Sequence, residues 1–354
     1  MSLKSNFFLF IKKIIEEDKK GFFIFFIKIF LYFLSIFYKI AINFRNFLYD
    51  KNILKSKKLK PFIISIGNIV AGGSGKTPFT IFLANQIKNK KTAIVTRGYK
   101  SKLKTKSYLT KKNDTAKLIG DEAVLIKKNT DANLYIGNNK ILSCKNAMNN
   151  KNDIIILDDG FQSRYLKKDL EIVLINPKDV FKKKCFLPRG LFRESIKSLI
   201  RADIVVINNL KSESDFEILK KEISKYTNAK IYYSIYENLG FYDINDQKIE
   251  FKSNKIASFS SIANPKAFFD TLEALNLEIV YKKEKLDHEK FLKNEIDEFV
   301  LNALKLGADY IIATEKDIIK LNKSERHNLP IIYLKIKNKL SDNNFNINDI
   351  LDNI

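Results

Sequence analysis

The run Gly72-Gly73-Ser74-Gly75-Lys76-Thr77 constrains this chain more than any other stretch. The apolar residues Phe62 to Ile66 precede it and predict a buried strand. Residues Pro78 to Ala84 follow and predict a helix with an early proline. Strand, glycine-rich loop, Lys-Thr and helix form the layout of a phosphate-binding P-loop. Small residues let backbone N–H groups turn inward around phosphate oxygens, and the helix N-terminus adds partial positive charge. Val70, Ala71, Gly72, Gly73, Ser74, Gly75, Lys76 and Thr77 are the expected nucleotide-binding residues. Lys76 would reach the β- and γ-phosphates, and the Thr77 hydroxyl would hold Mg²⁺. Val70 stands where the usual pattern has its first glycine. A glycine turn without a ligand is the bland alternative, but the flanking elements favour the P-loop.

Strand and helix signals alternate after Lys60. Ala93 to Thr96, Asp153 to Asp159, Leu170 to Ile175 and Asp203 to Ile207 read as strands, and Asp121 to Ile126 opens a helix. This alternation predicts an α/β fold, a P-loop NTPase-like parallel sheet flanked by helices. Near Thr227 to Tyr233 the chain is expected to leave that sheet. Ile256 to Ser260, a helix from Pro265, Leu277 to Ile279, a helix from Phe291 and Tyr310 to Ala313 predict a second, smaller α/β domain. The expected organisation is a membrane-associated N-terminal helical segment at 1–60, a P-loop domain at 61–228 and the smaller domain at 229–354. The polar tail from Ser341 is expected to be only partly ordered.

The N-terminal segment is apolar from Phe22 to Tyr38 except at Lys28 and Ser35, with lysine or arginine on both sides. As a helix it would span about 25 Å, short of a hydrocarbon core of about 30 Å. Lys28 makes a full crossing more costly. A helix lying in or dipping into the cytoplasmic leaflet fits best, against a helix that covers the protein's own core. The formal charge of +23 is spread among scattered lysines, and no nucleic-acid-binding motif accompanies it. Anionic membrane and composition bias are favoured over nucleic acid. Two cysteines, Cys144 and Cys185, provide neither a disulfide framework nor a metal cluster.

Asp158 and Asp159 end an apolar strand, as a Walker B carboxylate does beside a P-loop. Gly120-Asp121-Glu122 is a second acidic pair, for which helix capping is the default explanation. Of the two histidines, His327 sits in a polar, surface-like stretch, and His288 follows Asp287 just before a predicted helix. Each taken alone reads as a surface or capping residue.

Together these segments resemble the tetraacyldisaccharide 4′-kinase family. The likeness rests on Ser65-Ile66-Gly67-Asn68 with the P-loop, Thr96-Arg97-Gly98-Tyr99, Gly120-Asp121-Glu122 and Asp158-Asp159-Gly160-Phe161-Gln162. It continues through Leu187-Pro188-Arg189-Gly190-Leu191-Phe192-Arg193-Glu194, Asn264-Pro265, Asp287-His288 and Thr314-Glu315-Lys316-Asp317. Ser74 departs from the family's usual threonine, and Ser260 to Ala263 from its usual glycines.

The resemblance implies an ATP-dependent lipid kinase acting on the 4′-hydroxyl of a tetraacylated glucosamine disaccharide 1-phosphate. The expected site has the loop and Lys76 on the triphosphate, with Thr77, Asp158 and Glu122 on Mg²⁺, directly or through water. Asp121 is implied as general base, paired with His288 from the second domain. Asp159 would serve the metal or this network, and Arg193 and Glu194 would contact phosphate or substrate. Closure of the smaller domain would complete the site. The implied partners are the lipid disaccharide and the inner membrane's cytoplasmic leaflet, with no nucleic acid and no protein partner evident. Another membrane-associated P-loop NTPase, a switch or scaffold, is the competing reading. Asn176-Pro177-Lys178-Asp179 has the wrong spacing for the guanine-reading Asn-Lys-x-Asp run of a switch GTPase.

Overall fold

The computed structural model describes residues 21–352, apart from 100, 178–179, 181–184, 209, 211–212, 251–253, 322–330 and 342–344. His327, Lys19, Lys20, Lys178 and Asp179 lie outside the described residues. Two compact units are present: residues 1–59, 63–74 and 159–234 form one, and residues 60–62, 75–158 and 235–354 form the other.

In chain order the strands are β1 (Phe62–Gly67), β2 (Thr92–Thr96), β3 (Tyr108–Leu109), β4 (Asn133–Ile136), β5 (Ile154–Asp158), β6 (Leu170–Ile175) and β7 (Ile204–Asn208). They continue as β8 (Lys230–Asp243), β9 (Lys248–Ile249), β10 (Lys255–Ser260), β11 (Glu278–Glu284), β12 (Tyr310–Thr314) and β13 (Ile331–Leu340). In the first unit β1, β6, β7 and the start of β8 pair in parallel in that order, in register from Ile64 with Leu170 to Asn208 with Ser234. The side chains of β6 and β7 are buried on both faces save the half-buried Glu171, as an apolar run without alternation demands. Ile69, Phe161, Val173, Leu199 and Val205 belong to the core packed there.

In the second unit β5, β2 and β4 are parallel, with β3 antiparallel at the edge. A further parallel set runs β11, β10, β12, β13. Phe259, Phe299, Ile311 and Tyr333 fill the core against that set. The strands and helices expected between Ile256 and Ala313 are present and β13 joins their set, but residues 235–354 share one compact unit with 75–158. β4 and the helix Lys140–Asn149 are further elements that sequence patterning did not mark. Near residue 230 the chain does not simply leave the first sheet. It runs on as β8, whose far end turns back in an antiparallel pair with β9.

One expectation needs correction. The N-terminal helix is longer than the apolar run: it spans Phe22–Asp50, 29 residues. Its length and composition suffice to cross a membrane, so the objection from a short span falls away. Its buried residues, Leu31, Ser35, Ile42 and Asn46, recur at helical spacing and form one stripe. Elsewhere Phe22 is 80% and Phe37 69% exposed. The helix thus rests on its own unit by one edge and presents phenylalanine to its surroundings. The described residues of the tail include one ordered element. Ile347–Leu351 is a helix, Ile347 and Leu351 are buried, and the Asn348 amide donates to the Gln86 carbonyl at 2.9 Å.

Candidate active site

The phosphate-loop segment joins β1 to the helix Lys76–Gln86. Gly75 occupies the N-cap with φ 77°, a left-handed backbone that a side chain would strain, so glycine is required where the loop turns into the helix. Lys76 and Thr77 then open the helix, and Thr77 is buried. Polar side chains of the first unit pin the loop's other end. The buried Asn68 amide donates to the Ser74 hydroxyl at 2.7 Å, and the Asn208 amide donates to the Ser74 carbonyl at 2.6 Å. The Ser234 hydroxyl in turn donates to Asn208 Oδ1. The Gln162 amide donates to the Asn68 carbonyl at 2.9 Å. The Ala71 N–H donates to the Leu191 carbonyl at 2.7 Å, and Val70 bridges Phe192. Val70, 1% exposed, is a core residue, which explains an apolar side chain where the usual loop has glycine.

Asp158 and Asp159 are neighbours with different surroundings. Asp158 ends β5 buried; the Thr96 hydroxyl donates to its Oδ2 at 3.0 Å and the buried Lys140 ammonium to its carbonyl at 2.8 Å. Asp159 has a left-handed φ of 54°. Both its carboxylate oxygens accept from Arg193 Nη1, at 2.7 and 2.9 Å. Arg193 is held by its backbone: its N–H donates to the Ile69 carbonyl at 2.8 Å, and its carbonyl accepts from the Tyr38 hydroxyl at 3.1 Å. Glu194 is fully buried. Its Oε2 accepts from the Asn46 amide and from Arg201, each at 2.7 Å, and Arg45 stands 3.9 Å from Oε1.

The second unit brings Asp121 and His288 together. Asp121 begins the helix Asp121–Asn129 after Gly120, whose φ is 92°. A Cβ at Gly120 would lie 2.6 Å from the Tyr99 carbonyl, so only glycine lets this turn carry the aspartate. His288 Nδ1 lies 2.8 Å from Asp121 Oδ2 and 3.0 Å from Oδ1. The Tyr99 ring covers the imidazole at 4.9 Å between centroids. Around His288 Nε2 stand Lys316 Nζ at 3.4 Å, Asp287 Oδ2 at 3.5 Å and Glu122 Oε1 at 3.7 Å. Lys316 also pairs with Asp287 at 3.2 Å and with Glu122 at 3.4 Å. The dyad is thus assembled within one compact unit.

Burial alone would raise the Asp121 carboxyl. The His288 hydrogen bond, Lys316, the imidazole's charge and Lys320 outweigh it and hold the carboxyl down at about 2. Burial pulls Lys316 down, but Glu122, Asp287 and Asp121 carry it above the ordinary lysine value. Burial pushes the Cys144 thiol up to about 12, leaving it inert, and both cysteines are free.

Thr77 and Asp158 offer a hydroxyl and a buried carboxylate, hard oxygen donors that suit Mg²⁺. Among the described residues no group of three or more His, Cys, Asp or Glu forms a metal cage. Such a donor set fits a cation that arrives with phosphates and keeps its waters. Glu122 stands beside Lys316 and His288.

One further motif has a structural use. Asn150-Lys151-Asn152-Asp153 carries the spacing of a guanine-reading run, but it leads into the N-terminal end of β5, whereas ligands of open α/β sheets bind at the carboxyl ends. The Asn152 amide donates to the Ala147 carbonyl at 2.8 Å, and Asp153 Oδ2 accepts from the Lys91 N–H at 2.9 Å. No pattern in the sequence marks Lys140, Asn208 or Lys320, while Thr96 and Lys316 stand only as members of family-like runs. Thr314-Glu315-Lys316-Asp317 was the available pointer to Lys316 and Lys320.

A P-loop between strand and helix, a buried carboxylate at the end of β5 and a buried Asp–His pair define a P-loop phosphotransferase. The family described as Tetraacyldisaccharide-1-P 4'-kinase matches residues 27–354. The chain belongs to this family. A Tetraacyldisaccharide 4'-kinase of Flavobacterium johnsoniae is 34% identical, covering 86% of this chain and 90% of the relative. One from Syntrophus aciditrophicus is 31% identical, covering 86% and 87%. Among solved structures, LpxK from Aquifex aeolicus in complex with ATP superposes with a TM-score of 0.73 at 29% identity, covering 90% of this chain and 96% of that one.

Proposed function

We propose that this protein transfers the γ-phosphoryl group of ATP to the 4′-hydroxyl of a tetraacyldisaccharide 1-phosphate. Family membership supports the acceptor, and the ATP complex of the Aquifex aeolicus relative supports the donor. The observation that carries the reading is the buried Asp121–His288 pair at 2.8 Å in a chain that also has a P-loop.

Asp121 is the general base. As the acceptor oxygen bonds to the γ-phosphorus and the bond to the β-phosphate oxygen breaks, the hydroxyl proton passes to Asp121 and ADP leaves. A carboxylate held near a pKa of 2 is a weak base. It suits a loose transition state, in which the nucleophile needs orientation first and gives up its proton late. His288 fixes the carboxylate's direction. Lys76 and the loop amides take the triphosphate charge, and Arg193 with Asp159 contacts phosphate or substrate. Thr77, Asp158 and Glu122 would hold Mg²⁺, directly or through water, and the ion would supply charge neutralisation of the phosphates. The Phe22–Asp50 helix seats the enzyme on the cytoplasmic face of the inner membrane, where the lipid is met.

The test is incubation of the purified chain with radiolabelled ATP and detergent-solubilised tetraacyldisaccharide 1-phosphate. Label on the lipid is the expected result; label confined to inorganic phosphate would reject lipid kinase activity.

A further inference from the structure

We propose that Lys320 is a positioning residue for the Asp121–His288 pair, acting through the Ser261 carbonyl that it shares with the His288 backbone N–H. The proposal rests on the reading of Asp121 as base and His288 as its orienting partner.

Lys320 closes the helix Glu315–Lys320, one turn after Lys316, so both ammonium groups leave the same side of that helix. It is buried, its side chain 4% exposed. A buried ammonium must be fully engaged, and this one donates to Ser261 O at 2.7 Å, to Ser261 Oγ at 2.9 Å and to Asp317 Oδ1 at 3.0 Å. Asp317 completes the clamp. It accepts from the Ser261 N–H at 3.0 Å, the Ser261 hydroxyl at 2.6 Å, the Ser260 hydroxyl at 3.0 Å and the Thr314 hydroxyl at 2.7 Å. Ser261, at the end of β10, is thereby fixed from both its ends.

The second claim on Ser261 connects this clamp to the chemistry. The His288 N–H donates to the same Ser261 carbonyl at 3.1 Å. His288 has a φ of 63°, a left-handed backbone that a non-glycine residue keeps only where its surroundings over-determine it. One oxygen thus receives both the lysine and the strained turn that aims the imidazole at Asp121. Lys320 Nζ also stands 4.0 Å from Asp121 Oδ2, so its charge favours the ionised carboxylate that His288 binds. A lysine that only neutralised Asp317 would have needed neither contact.

The full chain in detergent is compared as unaltered protein, Lys320→Met, His288→Ala and the double variant, with ATP and tetraacyldisaccharide 1-phosphate. Lys320→Met is expected to lower kcat about tenfold or more while KM for ATP stays within about twofold. On the His288→Ala background the same change is expected to cost less than about twofold, because no imidazole remains to be positioned. An unchanged kcat for Lys320→Met, or full additivity in the double variant, overturns the proposal. A second readout needs no turnover. The chain has two histidines, so the downfield Nδ1 proton signal of a carboxylate-bound His288 is readily assigned. Lys320→Met is expected to abolish it and Lys320→Arg to keep it; persistence in Lys320→Met overturns the proposal. If the unaltered chain transfers no phosphate, the kinase reading fails, and this signal alone decides the positioning claim. Should Lys320→Met lose cooperative unfolding, Lys320→Gln, whose amide ends one bond short, replaces it with the same expectations.

Discussion

Two aspartates, one in each compact unit, each meet a nitrogen-bearing side chain at nearly equal distance in unlike settings. Asp121 and His288 are each 9% exposed at 2.8 Å, with Lys316 and Lys320 behind them. Asp159 and Arg193 are 30% and 25% exposed at 2.7 Å, on a left-handed aspartate. Distance does not separate them; burial and the number of neighbours do. In the buried pair the protein itself has set the charge, because the cost of desolvation is already met by fixed partners. In the outer pair solvent shares the field, and the arginine can move to another anion at small cost. The first arrangement fixes a protonation state, and the second leaves its charges responsive to solvent.

The sharpest way to break this contrast is Asp121→Asn. Turnover is expected to fall at least about a hundredfold, with ATP still raising the unfolding temperature; normal turnover would remove the base. Arg193→Ala should cost less, about tenfold in kcat/KM, with stability changed by under about 1 kcal/mol, as for a solvent-shared pair. A large loss of thermal stability there would erase the distinction. Glu194→Gln should show the opposite pattern. Removing a buried charge among Asn46, Arg45 and Arg201 is expected to lower stability by about 1–3 kcal/mol in denaturant titration, while leaving the His288 signal in place. Smallest is the acid titration. A carboxyl depressed from 3.8 to about 2 contributes stability that is complete above the higher value and is lost as pH falls through the lower. Asp121→Asn should therefore flatten the stability curve between those limits.

The strands that position the loop and the two aspartates were legible because they are unbroken apolar runs bounded by glycine or acid. Leu170–Ile175 falls where its pattern says it should. β4 was missed because Asn133-Leu134-Tyr135-Ile136 is too short to show a period. The helix Lys140–Asn149 was missed because lysine and asparagine obscure its buried Ser143, Cys144 and Ala147. At the site, Asp121 and His288 were reached by resemblance rather than pattern: they are far apart in sequence, and either residue alone reads as a cap. The Lys320 clamp lies deeper still. Its members are ordinary helix and strand-end residues, and only the shared Ser261 carbonyl gives them a common purpose.

The Phe22–Asp50 helix has a practical side. Phe22, Phe23, Phe25, Phe30, Phe33 and Phe37 stand more than half exposed around it. Such a collar leaves water for whatever apolar material is nearest. In plain buffer that material is the collar of the next molecule, so a particle mass measured without detergent reports how phenylalanine hides from water and says little about how many copies the enzyme uses.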